Sequence, residues 1–378
     1  MKTPPSVIPM SRRRFLRQIS AAAVAAVAVP RSRALDAPAN GKRLGIALVG
    51  LGNYAEYHLL PAIRQSKYWK LAGVVTGSKK KGETWARQYG FSAKNVFSYD
   101  TMHRLADCPE VDVVYVVTPN ALHAANAIAA AKAGKHVICE KPMAVSVAQC
   151  DAMIKACKEA NVRLMIGYRL HYVPYHMEFC RLAKDSALGP FMKIASDNSF
   201  DMGDVPFEEA NWRVRKDLAG GGPLMDMGVY VIQAVCMAKV EVPPAAVTAK
   251  FGEVTRPRLF REVEQSLSWI EEYADGARAE CYTSYCDQKS HIRAQGAKGW
   301  AEIPYPAFYY DTSGLETSAG QIDLPRPNHQ VAQMEGMALE ILENRPSRAP
   351  GEMGRRDIVI VEAIYASARS GKRVEVRV

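Results

Sequence analysis

The chain has 378 residues, 48% of them hydrophobic and 23% charged, with 49 Lys and Arg against 39 Asp and Glu for a formal net charge of +10. That length corresponds to two domains, each able to bury its own core, and the composition excludes disordered, fibrous and small disulfide-stapled proteins. Seven of the basic residues and no acid fall within positions 1–34, so the remainder carries only +3, which argues against a nucleic-acid-binding body.

The first predicted element is a leader. Arg12-Arg13-Arg14-Phe15-Leu16 precedes an uncharged Ala/Val run from Ile19 to Pro30, and Ser32-Arg33-Ala34 offers small residues for cleavage after Ala34. The run is shorter than the roughly 20 apolar residues that a bilayer span requires. Paired arginines followed by Phe-Leu resemble the twin-arginine class of bacterial signals, so residues 1–34 are expected to direct export of an already folded protein to the periplasm. The eight cysteines (Cys108, Cys139, Cys150, Cys157, Cys180, Cys236, Cys281 and Cys286) show neither C-x-x-C nor framework spacing. Most read as small buried hydrophobes; no metal site is expected, and room is left for one disulfide.

A nucleotide-binding half comes next. The apolar strand Leu44–Val49 runs into Gly50-Leu51-Gly52-Asn53-Tyr54-Ala55, followed by an apolar helical pattern at Leu59, Leu60 and Ile63. In such a turn the first glycine permits the tight bend, the second lets the backbone approach a pyrophosphate, and a small third residue lets the helix sit close. A second strand, Leu71 to Thr76, ends where an NAD site would carry an acid for the ribose hydroxyls. Thr76-Gly77-Ser78-Lys79-Lys80-Lys81 stands there instead, so hydroxyl and ammonium groups point to NADP and its extra phosphate. Strands and helices then alternate (Val111–Val117, Ala121–Ala133, His136–Cys139, Val147–Ala160, Arg163–Ile166), which predicts a Rossmann-type doubly wound parallel sheet over 43–167. Two of its carboxyl ends carry polar groups: Thr118-Pro119-Asn120 with His123, and Glu140-Lys141-Pro142.

From residue 168 to 378 the pattern becomes β-branched and aromatic: Phe191–Ser196, Ala246–Glu253, Gln265–Tyr273, Arg278–Ser284, Ser290–Ala294 and Ala301–Ile303. This predicts an α+β domain with a mostly antiparallel open sheet, closed by an amphipathic helix over Arg355–Gly371. Within it lie Trp212-Arg213 and Gly220-Gly221-Gly222-Pro223-Leu224-Met225-Asp226-Met227-Gly228-Val229-Tyr230. Asp226 and Tyr230 are four apart at a helix start and share a face, where a carboxylate beside a phenol can hold a sugar hydroxyl and relay its proton. Free Tyr has a pKa of about 10, so a tyrosine base needs help from a cation such as Lys141.

These four motifs, G-L-G-N-Y-A, T-P-N-A-L-H, C-E-K-P-M-A and G-G-G-P-L-M-D-M-G-V-Y, resemble in order and separation the glucose–fructose oxidoreductase / inositol dehydrogenase / MocA-type family, above all its periplasmic branch. The resemblance implies a substrate site of Lys141, Asp226 and Tyr230, with Tyr230 as acid/base. It implies a dinucleotide lined by Gly50, Leu51, Gly52, Asn53, Tyr54, Ser78, Lys79, Pro119, Asn120, His123, Glu140, Lys141, Arg169, Trp212 and Arg213, to which the strand ends add Thr76 and Thr118. The implied activity is a ping-pong exchange with tightly bound NADP: an aldose is oxidised at C1 to a lactone and a second sugar is reduced to an alditol. The alternatives are an NAD-dependent glycosidase and a simple NADP-dependent sugar dehydrogenase. That branch has a long proline-rich arm after its leader, whereas here only Leu35 to Arg43 intervene, so a homodimer through second-domain sheet faces is expected rather than arm-mediated tetramers. Small sugars are the expected partners, with no nucleic acid and no stable membrane anchor.

Overall fold

The computed structural model describes residues 43–208, 212–310 and 314–378; the leader and the cleavage position lie outside the described residues. The first sheet is built from β1 (Leu44–Val49), β2 (Trp69–Val75), β3 (Val96–Phe97), β4 (Val113–Val116), β5 (His136–Cys139) and β6 (Leu164–Ile166), in the order β3-β2-β1-β4-β5-β6. All its neighbours pair in parallel. Strands β1 and β4 are buried along their whole length, as a sheet covered by helices on both faces demands. The covering helices include α1 (Leu60–Gln65), α2 (Lys79–Tyr89), α3 (His123–Lys132) and α4 (Val147–Glu159). Ser78 caps α2 by accepting from the Lys81 N–H, and Gly90, at φ +74°, ends it.

The second sheet has nine strands: β7 (Phe191–Ser199), β8 (Ala246–Phe251), β9 (Ser266–Glu272), β10 (Arg278–Ser284), β11 (Lys289–Gly296), β12 (Gly299–Ile303), β13 (Leu315–Thr317), β14 (Gly320–Ile322) and β15 (Val374–Glu375). Its order is β14-β13-β12-β11-β7-β10-β9-β8-β15, and every neighbouring pair is antiparallel except β7 with β10. Helices α5 (Pro174–Lys184) and α6 (Val229–Ala238) pack against it, and α6 is buried along its whole length.

Several boundaries differ from the sequence reading. The helix expected over Ala121–Ala133 opens with a 3-10 turn, Asn120–Leu122, and the closing helix starts earlier, as α8 (Gly351–Ser370) is preceded by α7 (His329–Leu342). Strands β3, β13, β14 and β15 are two or three residues long, too short for an alternation to show. The 168–378 segment is also not confined to its own domain. Helix α8 packs on α4 as well as on β8, the Ile166 N–H donates to Ala349 O at 2.8 Å, and the Trp69 indole N–H donates to Met334 O at 2.6 Å. All eight cysteines are free thiols, so the room left for a disulfide is not used.

One buried acid tests the second-domain core. Glu271, on β9, is 0% exposed and accepts from the Trp269 indole at 2.9 Å and the Tyr273 hydroxyl at 2.7 Å. Burial pushes its carboxyl from an ordinary 4.5 up to about 7. A raised folded value means that its stabilising contribution is complete below the unfolded value and is lost as pH rises through the folded one. Denaturant melts of wild type are expected to lose stability between pH 4.5 and 7 with a slope of up to about 1.4 kcal/mol per pH unit from this group. Glu271→Gln should remove that increment; parallel slopes in the two proteins would contradict it.

Candidate active site

A cleft of about 690 Å³ opens beyond the carboxyl ends of β1, β4 and β5, where ligands of doubly wound sheets bind. Its floor is the turn after β1. Gly50 has φ +94°, and a Cβ there would press on Thr118 Cγ2 and Val117 O, each at 3.1 Å. A Cβ on Gly52 would meet no atom within 4 Å, so the second glycine faces open space, the cradle a dinucleotide pyrophosphate needs. A π-type turn, Ala55–Leu59, follows and runs on into α1.

The wall comes from both domains. Lys141, after β5, places its ammonium 2.9 Å from Asp226 Oδ1 and 2.7 Å from Asp226 O. Two of its three N–H donors are thus engaged, leaving the third for a ligand. Asp226 sits in a second π-type turn, Leu224–Gly228, at the head of α6, which brings Tyr230 alongside it. Arg213 Nε (2.7 Å) and the Tyr285 hydroxyl (3.1 Å) complete the donors to Asp226 Oδ2. Burial alone would raise the Asp226 carboxyl, but Lys141 and Arg213 outweigh it and hold the group well below the usual carboxylate range. Burial would likewise lower the Lys141 ammonium, yet Asp226 raises it, so both partners stay charged.

The Tyr230 hydroxyl accepts from Arg169 Nε at 3.3 Å, and its ring lies under Lys141 Nζ at 4.7 Å from the centroid. The turn before α6 is fixed from behind. Glu264 accepts from the Gly222 and Leu224 N–H groups at 3.0 and 3.2 Å and from the Tyr365 hydroxyl at 2.8 Å. Side chains on Gly221 or Gly222 would collide with Tyr365 and Glu264, which is why this bend is glycine.

Of the residues anticipated from sequence, Gly50, Leu51, Gly52, Asn53, Tyr54, Thr118, Pro119, Asn120, His123, Glu140, Lys141, Arg169, Trp212, Arg213, Asp226 and Tyr230 all line this cleft. His123 is buried and bonds to Pro142 O (2.9 Å) and Thr118 O (2.8 Å), so it joins two strand ends. Glu140 is buried and accepts from the Tyr115 hydroxyl at 2.6 Å. Thr76, Ser78 and Lys79 stand outside the cleft walls, beyond the carboxyl end of β2. Thr76 Oγ1 accepts from the Ser78 N–H at 3.1 Å, Lys81 is engaged by Leu51 O (2.7 Å) and Glu56 (3.2 Å), and the Lys79 side chain is 87% exposed. Sequence reasoning missed Tyr99, Phe200, Met227 and the aromatic run Phe308-Tyr309-Tyr310, which closes the cleft, together with Tyr285 behind Asp226. Three consecutive aromatics in a loop were a usable signal; Tyr285 gave none.

A glycine cradle feeding a lysine–aspartate–tyrosine cluster defines a nicotinamide-dependent oxidoreductase, and the comparisons agree. The model for the oxidoreductase family with NAD-binding Rossmann fold matches residues 44–168, and the GFO/IDH/MocA C-terminal domain matches 176–302. A D-xylose 1-dehydrogenase (NADP(+)) of Hypocrea jecorina is 30% identical over 342 residues, covering 82% of this chain and 86% of that one. A D-xylose 1-dehydrogenase [NADP(+)] of Haloarcula marismortui is 25% identical over 87% of this chain and 92% of its own. Among solved structures, the aldose-aldose oxidoreductase from Caulobacter crescentus superposes with a TM-score of 0.84 at 38% identity, covering 88% of this chain and 100% of that one. The chain belongs to the GFO/IDH/MocA oxidoreductase family.

Asp226 is the shared counter-ion of Lys141 and Arg213, so its loss removes the carboxylate that pairs with both. Asp226→Asn is expected to lower stability by about 3 kcal/mol and to cut turnover of the remaining folded protein. Thermal melts and steady-state rates check this; an unchanged melting temperature would contradict the shared-anion role.

Proposed function

We propose that the protein is an exported, NADP-containing sugar oxidoreductase that oxidises the C1 hydroxyl of a cyclic aldose to a lactone and reduces the carbonyl of a second sugar to an alditol in the same cleft. The observation that carries it is the Tyr230 hydroxyl, held at the cleft wall by Arg169 (3.3 Å) beside the Lys141–Asp226 pair (2.9 Å) and facing the glycine cradle. When bound, NADP supplies hydride exchange at its nicotinamide. Tyr230 takes the proton from O1 of the first sugar and returns it to the carbonyl oxygen of the second, so it ends each cycle as it began. Lys141, charged and held still by Asp226, uses its remaining N–H to orient the reacting oxygen. The net exchange moves one hydride and one proton from C1–H and O1–H of one sugar to the carbonyl of the other, and no outside oxidant is consumed.

Three further observations support this reading. The xylose dehydrogenase relatives are named for NADP, and the Caulobacter relative is named an aldose-aldose oxidoreductase. At the head of α2, Ser78 and the exposed Lys79 stand where an NAD enzyme would carry an acid, so a 2′-phosphate would meet a hydroxyl, an ammonium and a helix N-terminus. The twin-arginine leader pattern supports periplasmic export, where a retained nucleotide regenerated by a second sugar replaces a soluble nicotinamide pool. A homodimer through the open faces of the nine-stranded sheets fits the same reading.

Two experiments test it. Protein purified after export should carry NADP, and incubation with mixed sugars should yield lactone and alditol in equal amounts. Tyr230→Phe should retain the nucleotide and lose at least about 100-fold in turnover; an unchanged rate would refute the acid/base role. Lys79→Glu should favour NAD over NADP by about tenfold or more relative to wild type, measured as the ratio of nucleotides bound on reconstitution. An unaltered ratio would remove Lys79 from phosphate recognition.

A further inference from the structure

We infer that Arg169, rather than Lys141, is the cation that stabilises the Tyr230 oxygen during proton transfer, and that Arg169 is therefore a catalytic residue in its own right. This rests on the acid/base reading of Tyr230. Arg169 lies in the 3-10 turn Arg169–Tyr172 just after β6, is 3% exposed, and sits 61 positions from Tyr230 in the chain. Its Nε donates to the Tyr230 hydroxyl at 3.3 Å, and its guanidinium carbon lies 5.0 Å from the centroid of that ring.

The other acceptors of Arg169 are uncharged. They are Phe308 O, Tyr309 O at 3.4 Å and His329 Nδ1 at 3.1 Å. A guanidinium only donates, so His329 must present a bare Nδ1; burial and Arg169 both push that imidazole down to about 4, and it is neutral. His176, on α5, is buried, and that burial holds its imidazole well below the ordinary range, so it brings no charge from that side. Tyr54 and Tyr310 face the site as phenols held above their ordinary range by burial. Glu140 is raised by burial, although Lys141 and, more weakly, Arg169 draw it down, and it is bonded to Tyr115, while Asp226 is taken by Lys141, Arg213 and Tyr285. Among the described residues, no carboxylate stands within ion-pair distance of Arg169.

A buried cation whose protein partners are all uncharged is costly, so besides any contact with the dinucleotide it lines, Arg169 is suited to a group that gains negative charge in the reaction. Of the groups that Arg169 touches by hydrogen bond, Tyr230 alone becomes an anion in the reaction. Lys141 is differently placed: its charge is compensated by Asp226, and it lies over the ring of Tyr230 rather than against its oxygen. The two cations therefore divide the work. Lys141 serves the sugar oxygen, and Arg169 holds the phenolate that exists once Tyr230 has given up its proton and until it accepts the next one.

The test is the pH dependence of the half-reaction between nucleotide-loaded protein and aldose alone, followed by reduced-nicotinamide absorbance in wild type, Arg169→Met, Arg169→Lys and Tyr230→Phe. Arg169→Met is expected to slow the reaction about 100-fold at neutral pH and to move the acidic limb of the profile upward by about one unit, so that activity recovers as pH rises. Arg169→Lys should give an intermediate limb, with sugar KM within about threefold of wild type. A loss in both Arg169 variants that is the same at every pH would overturn the proposal and reduce Arg169 to an anchor for the 308–310 loop. Should Arg169→Met not fold, Arg169→Lys with a fluorinated, more acidic tyrosine at position 230 keeps the question open to measurement: rescue supports the proposal, and no rescue overturns it. Tyr230→Phe separates the two claims, since full activity there refutes the tyrosine reading itself, whatever the Arg169 variants do.

Discussion

The site depends on one ion pair across two domains. Lys141 comes from the carboxyl end of a Rossmann strand, and Asp226 comes from the turn that opens the central helix of the second domain. Each is nearly buried, with side chains 12% and 11% exposed, and neither charge would be tolerable alone. Together they fix where the second domain stands over the glycine cradle. The pair thereby converts a nucleotide-binding domain and a twisted sheet into a single catalytic cleft.

The remaining features preserve that arrangement. Arg213 and Tyr285 satisfy the second carboxylate oxygen of Asp226, so the aspartate is positioned by donors on both sides. Glu264 and Tyr365 hold the triple-glycine bend, and two backbone groups of that bend are satisfied by one half-buried carboxyl. Helices α7 and α8 return to the first sheet, where Gln333 donates to the Tyr115 hydroxyl at 2.9 Å and Tyr115 in turn holds Glu140. A chain of contacts thus runs from the C-terminal helices to the strand end that carries Lys141. Polar groups this deeply buried contribute to geometry more than to net stability.

Much of this was legible in the sequence, for identifiable reasons. The cradle could be read because Gly50 and Gly52 sit between an unbroken apolar strand and a helical pattern, and each glycine has a separate steric task. The Asp226–Tyr230 pairing could be read because one helical turn separates them, even though the turn proves to be π-type. What could not be read depended on distant chain segments meeting. Tyr285 reaches Asp226 only because β10 ends beside α6, and Phe308–Tyr310 closes the cleft only because the β12–β13 connection folds back onto Arg169. Arg169 itself entered through family resemblance as a cofactor contact, while its hydrogen bond to Tyr230 lies in the fold alone. The lysine run Lys79–Lys81 also divides on inspection, since Lys81 is committed internally and Lys79 is left exposed.

Electrostatics gives these parts one logic. The positive charge of the whole chain is concentrated at its start, and on the proposed reading the folded body assigns a few cations to defined places: Lys79 to a phosphate, Lys141 to a sugar oxygen, Arg169 to a phenolate. The central claim is that one cleft with a retained nucleotide passes reducing equivalents between two sugars. It is tested most directly by a single-turnover measurement on the purified protein with no added nucleotide. Addition of an aldose alone should produce reduced-nicotinamide absorbance equal to one equivalent per chain, and a second, carbonyl-bearing sugar should then discharge it completely. Absence of any absorbance change without added NADP, or a reduced state that no sugar discharges, would contradict the account.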